Sequence, residues 1–411
     1  MNGTILFTII ITLLVVNFIK DELINYFNAK HFNDSLPADI EDVYDEGSYK
    51  KSQDYKYTNY QFSRISSVFS LVLTLSFFLL NGVALVEKYS QAITNDIVLQ
   101  SLVFFGIIGV VSSVLQMPFD YYHTFVIEEK FGFNKTTKKL YVIDKLKGLL
   151  MTLVVGGGLL YAITWIYTKT ENLFWIYSWA LFAVFTVFLN MFYSSLIVPL
   201  FNKQTPLEAG SLKEKLFEYA QKQGFKLDNI FVIDGSKRST KANAYFSGFG
   251  PKKRIVLYDT LINDLSEEEI VAVFAHEVGH YKRKHTIFNL IASLVLTGLT
   301  LFIMGSLLGN SLLAEAFNVS KSSFHIGLVA FGILYSPISE ITGIFMNVIS
   351  RKFEYQADDF AKETYEAKYL ITSLKKLSKN SLSNLTPHKW NVFFHYSHPT
   401  LLQRILNLKK Q

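Results

Sequence analysis

The chain has 411 residues, half of them hydrophobic, 15 % aromatic and only 18 % charged, with a mean hydropathy of +0.24. A soluble domain carries about a quarter charged residues, so this balance excludes an ordinary soluble globule and favours a polytopic membrane protein with room for a catalytic portion. There is no cysteine, which excludes disulfides, thiolate metal ligands, a cysteine nucleophile and lipidation of the chain's own thiols. The net charge of +6 fits basic cytoplasmic loops, and without a basic stripe interleaved with aromatics it argues against nucleic acid as a partner.

Apolar runs of about 20 residues, the length that spans a bilayer, fall at 3–19, 65–87, 98–118, 148–168, 173–199, 286–309 and 324–350. They predict seven membrane helices. The first, ILFTIIITLLVVNF, has no basic residue before it and no small-residue cleavage site after it, and reads as a retained anchor. The connections after the first and third runs carry Lys20, Lys30, Lys50, Lys51, Lys56 and Arg64, then Lys130, Lys135, Lys138, Lys139, Lys145 and Lys147. Those after the second, fourth and sixth carry only Lys88, Lys169 and Lys321. The positive-inside rule therefore predicts an external N-terminus, a cytoplasmic C-terminus, and segments 200–285 and 351–411 on the cytoplasmic face.

The expected organisation is spans one to five with their loops in 1–199, a catalytic segment in 200–285, spans six and seven in 286–350, and a second catalytic segment in 351–411. Residues 33–60, acidic and tyrosine-rich, read as a solvated loop with helical turns. Within the spans, Asn190, Asn289, Glu340 and Asn347 are polar; Glu340 is a candidate to line an internal chamber or else a charge paired near the span's end. The GGG at 156–158 reads as a site of close helix packing, since no phosphate-loop pattern surrounds it.

Segment 200–285 predicts a helix (SLKEKLFEYAQKQG), a strand (NIFVID), a Gly/Ser/Lys turn, a strand (KRIVLYDT) and a helix opening at LSEEE, where Ser266 and Glu269 have capping-box spacing. In that last helix His276 and His280 lie four apart and share one face. Glu277, turned about 100° from His276, can reach a water activated by an ion held there: two ligands and a general base, as in zinc hydrolases. Such a site needs a third protein ligand and an open position. The stretch RKFEYQADDFAKE supplies Glu354 as that ligand and Asp358, one turn on, as a carboxylate that orients a metal-bound histidine; the alternative for this stretch is a solvated charged face. Because His285 directly precedes the sixth span and Glu354 follows the seventh, the ion is expected close to the membrane surface.

The sequence resembles the type I CAAX prenyl endopeptidase family, integral-membrane zinc proteases. The resemblance runs through FVIEEKFGFNKTT (125–137), IVPLFNKQTPLEAGSL (197–212), DGSKRSTKANAYFSGFGPKKRIVLYDTL (234–261), HEVGH (276–280), SRKFEYQAD (350–358) and YSHPTLLQRI (396–405). It implies an all-α polytopic membrane protein whose seven transmembrane helices enclose a water-filled intramembrane chamber, with a small α+β zinc-protease portion on the cytoplasmic side. It also implies one Zn2+ per chain, held by His276, His280 and Glu354, with Glu277 as base. Asn243 and Ala244 match a strand edge that pairs with the substrate backbone, although Asn243 alone also fits a turn. His398 and Arg404 match a pair lying over the active site, donors to an oxyanion, with Arg404 equally able to pair with Asp358.

The function implied is hydrolysis near the C-terminus of prenylated CAAX proteins; a membrane-protein quality-control zinc protease without a prenyl requirement is the alternative, and a transporter with an incidental HExxH a more distant one. The expected partners are a prenylated or membrane-associated protein or peptide and the lipid bilayer, with no nucleic acid and the chain acting as a monomer. The expected location is the bacterial plasma membrane or the endoplasmic reticulum membrane, with the catalytic site facing the cytoplasm.

Overall fold

Asn2 starts the first helix: its Oδ1 accepts the Ile5 amide, and α1 runs over Gly3–Lys30. The computed structural model describes residues 2–227, 229–247 and 254–410, with Glu171 described by its backbone alone; Gly248–Lys253 of the DGSKRS…YDTL stretch lie outside the described residues. Asp45 caps α2, Glu46–Leu79, whose end differs from the 65–87 expected for the second span. Asn81 adopts a left-handed conformation with φ 57°, and a Cβ on Gly82 would collide with Phe77; the chain therefore breaks and restarts as the amphipathic α3, Gly82–Ile93. Next come α4 (Ile97–Tyr122), extended by a π-helical turn to Glu128, then α5 (Lys138–Met151), joined by a π-helical turn at Thr152–Gly156 to α6 (Gly157–Thr170). After α7 (Phe174–Phe192) a further π-helical turn leads into α8 (Val198–Phe201).

The polar segment folds as β1 (Gln204–Pro206), α9 (Ser211–Lys222), β2 (Ile230–Ile233), β3 (Ala244–Ser247), β4 (Arg254–Tyr258), α10 (Asp259–Asp264) and α11 (Glu267–Lys282). Among the described residues the sheet has the order β1-β2-β4-β3, with β2 and β4 parallel and the outer pairs antiparallel. Ala244 pairs with Leu257 and Phe246 with Ile255, so β3 is an edge strand. Leu216, Tyr219, Ile255, Leu257, Phe274 and Val278 form the core between sheet and helices. The expected helix–strand–turn–strand–helix order is present, with β1 before it and β3 and α10 between its elements.

The chain continues through α12 (His285–Leu307), α13 (Ser311–Ala316), α14 (Phe324–Leu334), α15 (Ser336–Thr364), α16 (Ala367–Asn380), α17 (Lys389–His395) and α18 (Leu401–Lys409). Helices α14 and α15 are bent by 53° where Pro337, which cannot donate to the preceding turn, opens the second of them. Among the described residues six rods are long and apolar enough to cross a membrane, and the α14–α15 pair makes up to seven if it is one span. No more than 17 % of any span window is buried. Most of these apolar side chains therefore face lipid or internal space rather than one another.

Two expectations are corrected. Residues 33–60 are not a solvated loop: Ile40, Val43 and Tyr44 bury against Phe131, Phe133, Leu385 and Ile405, because the tyrosines and aliphatics between the acids form an apolar face, and from Glu46 onward the segment is already helix. The glycines at 156–158 are not a close-packing site, since a Cβ there would meet at most Thr152, 3.9 Å from Gly156. They stand where a π-helical turn passes into α6. For Glu340 the second of its two readings applies: it is ion-paired with Lys20 of α1.

Candidate metal centre

Helix α11 is fixed at its start by a complete capping box: the Glu269 amide donates to Ser266 Oγ at 3.3 Å and the Ser266 amide to Glu269 Oε2 at 2.8 Å. Lys376 adds a 2.7 Å ion pair to the same carboxylate. One turn before the helix ends, Gly279 presses against α15. A Cβ there would lie 3.0 Å from Ala357 Cα and 3.1 Å from its carbonyl oxygen. This close approach brings Glu354, on the facing side of α15, opposite His276 and His280.

The three side chains converge. His276 Nε2 and His280 Nε2 are 3.1 Å apart, Glu354 Oε1 is 3.2 Å from His280 Nε2, and Glu354 Oε2 is 3.5 Å from His276 Nε2. One donor atom from each residue falls within a 4.8 Å cluster. Glu354 Oε2 is buried and has no hydrogen-bond partner. A buried orphan carboxylate oxygen facing two imidazole nitrogens is costly unless a cation satisfies it, and a His2Glu set suits zinc. The residues fit the metal.

Each histidine is oriented from behind. Asp358, fully buried, holds His276 Nδ1 at 2.9 Å, which leaves Nε2 as the free donor. His280 Nδ1 lies 3.0 Å from His285 Nδ1, and His285 Nε2 lies 2.8 Å from Gln356 Oε1. A single tautomer assignment satisfies this chain and frees His280 Nε2: His280 donates to His285, and His285 donates to Gln356. The His285 ring is also stacked on Phe353, 4.0 Å between centroids at 9°. His285 and Gln356 were not recognised as site residues from the sequence, although both lie within the motifs that carry it, at the end of HEVGHYKRKH and inside FEYQAD.

Burial and the Arg404 guanidinium both depress the His276 ring, but the carboxylates of Asp358 and Glu354 outweigh them and raise it to about 9. Arg404 is committed to Asp358, with Nε 2.9 Å from Oδ2 and Nη2 2.5 Å from Oδ1, and its Nη1 stands 3.5 Å from Glu354 Oε2. Of the two roles left open by the sequence, the pairing with Asp358 is the one present in this geometry. His398 is exposed, with Nε2 3.4 Å from Glu354 Oε1. Glu277, half-buried, lines the same cavity of about 460 Å³ as His276, His280, His398 and the edge residues Asn243 and Ala244. Asn243 adjoins the edge strand, and its Oδ1 accepts the Ala244 amide at 2.8 Å. All nine residues singled out from the sequence are thus drawn to one place.

With this geometry in view, similarity to known proteins can be weighed. Residues 25–203 match the CAAX prenyl protease N-terminal model, described as five membrane helices, and residues 206–411 match Peptidase family M48. The chain belongs to peptidase family M48. It is 35% identical over 399 residues to CAAX prenyl protease 1 of Saccharomyces cerevisiae, covering 91% of this chain and 88% of that protein. It is 33% identical over 424 residues to the Homo sapiens CAAX prenyl protease 1 homolog, covering 91% and 88%. The crystal structure of S. mikatae Ste24p superposes with a TM-score of 0.93 at 33% identity, covering 98% of this chain and 99% of that one. This M48 chain is an integral, multi-pass membrane metallopeptidase of the CAAX prenyl protease type, in a family that is zinc-dependent in general.

Proposed function

We propose that this M48 peptidase hydrolyses peptide bonds near the C-terminus of prenylated CAAX proteins, with His276, His280 and Glu354 holding one zinc ion and Glu277 acting as general base. The observation that carries this reading is the orphan oxygen of Glu354 facing two imidazoles whose other nitrogens are both engaged. A zinc ion bound there would polarise the scissile carbonyl and make a water acidic enough to lose its proton near neutral pH.

Glu277 takes that proton and later delivers one to the departing amine. His398, exposed beside Glu354, donates to the oxyanion of the tetrahedral intermediate, while Arg404 acts chiefly by holding Asp358 and through it His276. The substrate backbone adds itself as a strand along β3 at Asn243 and Ala244, which gives affinity without demanding particular side chains. On this reading the catalytic portions are 200–285 and 351–411, between and after the membrane portions 1–199 and 286–350. The lysine-rich loops support a cytoplasmic site, and the low burial within the spans supports seven helices around an internal chamber.

The test is cleavage of a farnesylated CAAX peptide and its unprenylated twin by detergent-purified protein, beside Glu277→Gln and a chelator. Cleavage of the prenylated peptide that is lost in Glu277→Gln and in chelator is the expected result. Equal cleavage of both peptides would move the function to quality-control proteolysis, and none of either would sink the reading.

A further inference from the structure

The metal-site cavity has a neighbour inside the bundle. Asn289 on α12 lines both the 460 Å³ cavity and a second one of about 610 Å³. From there the second cavity follows one face of α12 through Ser293, Leu296, Thr297, Thr300 and Met304, a spacing of three and four residues that keeps all of them on one side. From Asn289 to Met304 the helix rises about 22 Å. The opposite face, with Ile291, Val295 and Phe302 exposed, is the one turned to lipid.

The far end of this second cavity is walled by Ile163, Phe182, Leu301, Phe324, Leu328 and Phe331, from α6, α7 and α14 as well as α12. Two of its polar side chains are bonded to each other. Thr300 Oγ1 bonds the Leu296 carbonyl at 2.8 Å and the Tyr335 hydroxyl at 2.8 Å, so it offers the cavity a methyl group. A polar mouth beside the metal site thus leads to an apolar slot within the usual size range for small-molecule sites, about 300–1,000 Å³.

We propose that this slot takes the isoprenoid chain of the substrate. The inference rests on the reading of the protein as a protease of prenylated chains. When the scissile bond adjoins a prenylated cysteine, the thioether must lie within one residue of the metal, and the apolar chain must leave from there. The cavity that shares Asn289 with the metal site offers a path that is apolar, internal and continuous with the edge strand β3. The polar mouth accommodates the thioether and backbone; the slot beyond accepts any chain of suitable length, since hydrophobic burial is not directional.

The test uses full-length, zinc-loaded Glu277→Gln protein in detergent, which binds without turnover. A CAAX peptide carrying a photoreactive farnesyl analogue is cross-linked and mapped, and label at Leu328 or Phe331 is expected. Label on the outward face of α12, at Ile291 or Val295, or on α1 and α17 would overturn the proposal in favour of a lipid-side path. In parallel, Ser293→Phe and Thr297→Phe should cut the ratio of affinities for farnesylated and unprenylated peptide at least tenfold, while Ser293→Ala keeps it. An unchanged ratio in both Phe variants would overturn the slot while leaving the protease reading intact. A parent protein that binds the two peptides equally would overturn the slot and the prenyl specificity together, a result distinguishable from the former.

Discussion

Arg404 grips Asp358 in a two-pronged ion pair, Nε to Oδ2 at 2.9 Å and Nη2 to Oδ1 at 2.5 Å, and Asp358 in turn holds His276 Nδ1 at 2.9 Å. A planar guanidinium meets both oxygens at once, which an ammonium cannot do. Arg404→Lys should therefore loosen His276 and weaken zinc retention by about tenfold to a hundredfold. Zinc content followed by atomic emission across a chelator titration checks this. Full zinc retention with a loss of kcat alone would instead give Arg404 a direct role on the oxyanion.

On the other histidine the same logic runs through a ring instead of a carboxylate. His285→Ala removes the acceptor for His280 Nδ1 and the ring stacked on Phe353. Zinc retention should again fall by about tenfold or more, whereas the phenylalanine–histidine stack alone would cost stability without changing metal affinity. A chelator titration beside a thermal melt separates the two.

How much of this was legible in the sequence follows from which signals are local. The capping box, HEVGH and the FEYQAD turn are set within one or two helical turns, and the structure draws the nine residues named from them and from the family resemblance into one site. Most of what escaped depended on contacts distant along the chain. One miss was local: Asn81-Gly82 is a turn dipeptide, but hydropathy stays high across it, and the second rod stops at Leu79 with a separate helix after it. The GGG run suggested close packing, yet whether a neighbour lies over a glycine is decided by another helix. Likewise Glu340 finds Lys20 across some three hundred residues. His285 was visible but unassigned, since its role exists only once His280 and Gln356 flank it.

The cap of α11 makes a pH prediction. Burial alone would raise the Glu269 carboxyl, but Lys376 and the Ser266 amide hold it below the ordinary glutamate range. Folding thus favours the ionised form: its contribution is complete above the unfolded value, about 4.3, and is lost as pH falls through the lower folded value. Glu269→Gln keeps a carbonyl for the cap and loses the charge. At pH 7 it should cost under about 1 kcal/mol, because Lys376 is half exposed, and melts repeated below pH 4 should show the gap to the parent closing. A gap that widens on acidification would contradict the assignment.

Far from the metal centre in sequence, His325 is wholly buried between Glu87 and Ser101: its Nε2 lies 2.6 Å from Glu87 Oε2 and its Nδ1 2.9 Å from Ser101 Oγ. Ser90 and Gln91 complete the Glu87 carboxylate at 3.1 and 2.7 Å. The order serine–histidine–carboxylate is that of a serine hydrolase triad with the two ring nitrogens exchanged, and Ser101 and His325 have no exposed surface, so no acyl group can reach them. The cluster instead ties α3 and α4 to α14. Removing one member of a buried pair strands the other, at about 3–5 kcal/mol, whereas Ser101→Ala forfeits neutral hydrogen bonds to His325 and the Ile97 carbonyl, about 1 kcal/mol each. His325→Ala should therefore lower the melting temperature in detergent more than Ser101→Ala, and peptide cleavage per folded molecule should stay unchanged in Ser101→Ala. A chelator-resistant hydrolase activity that disappears in Ser101→Ala would show the opposite, that these groups catalyse rather than clamp.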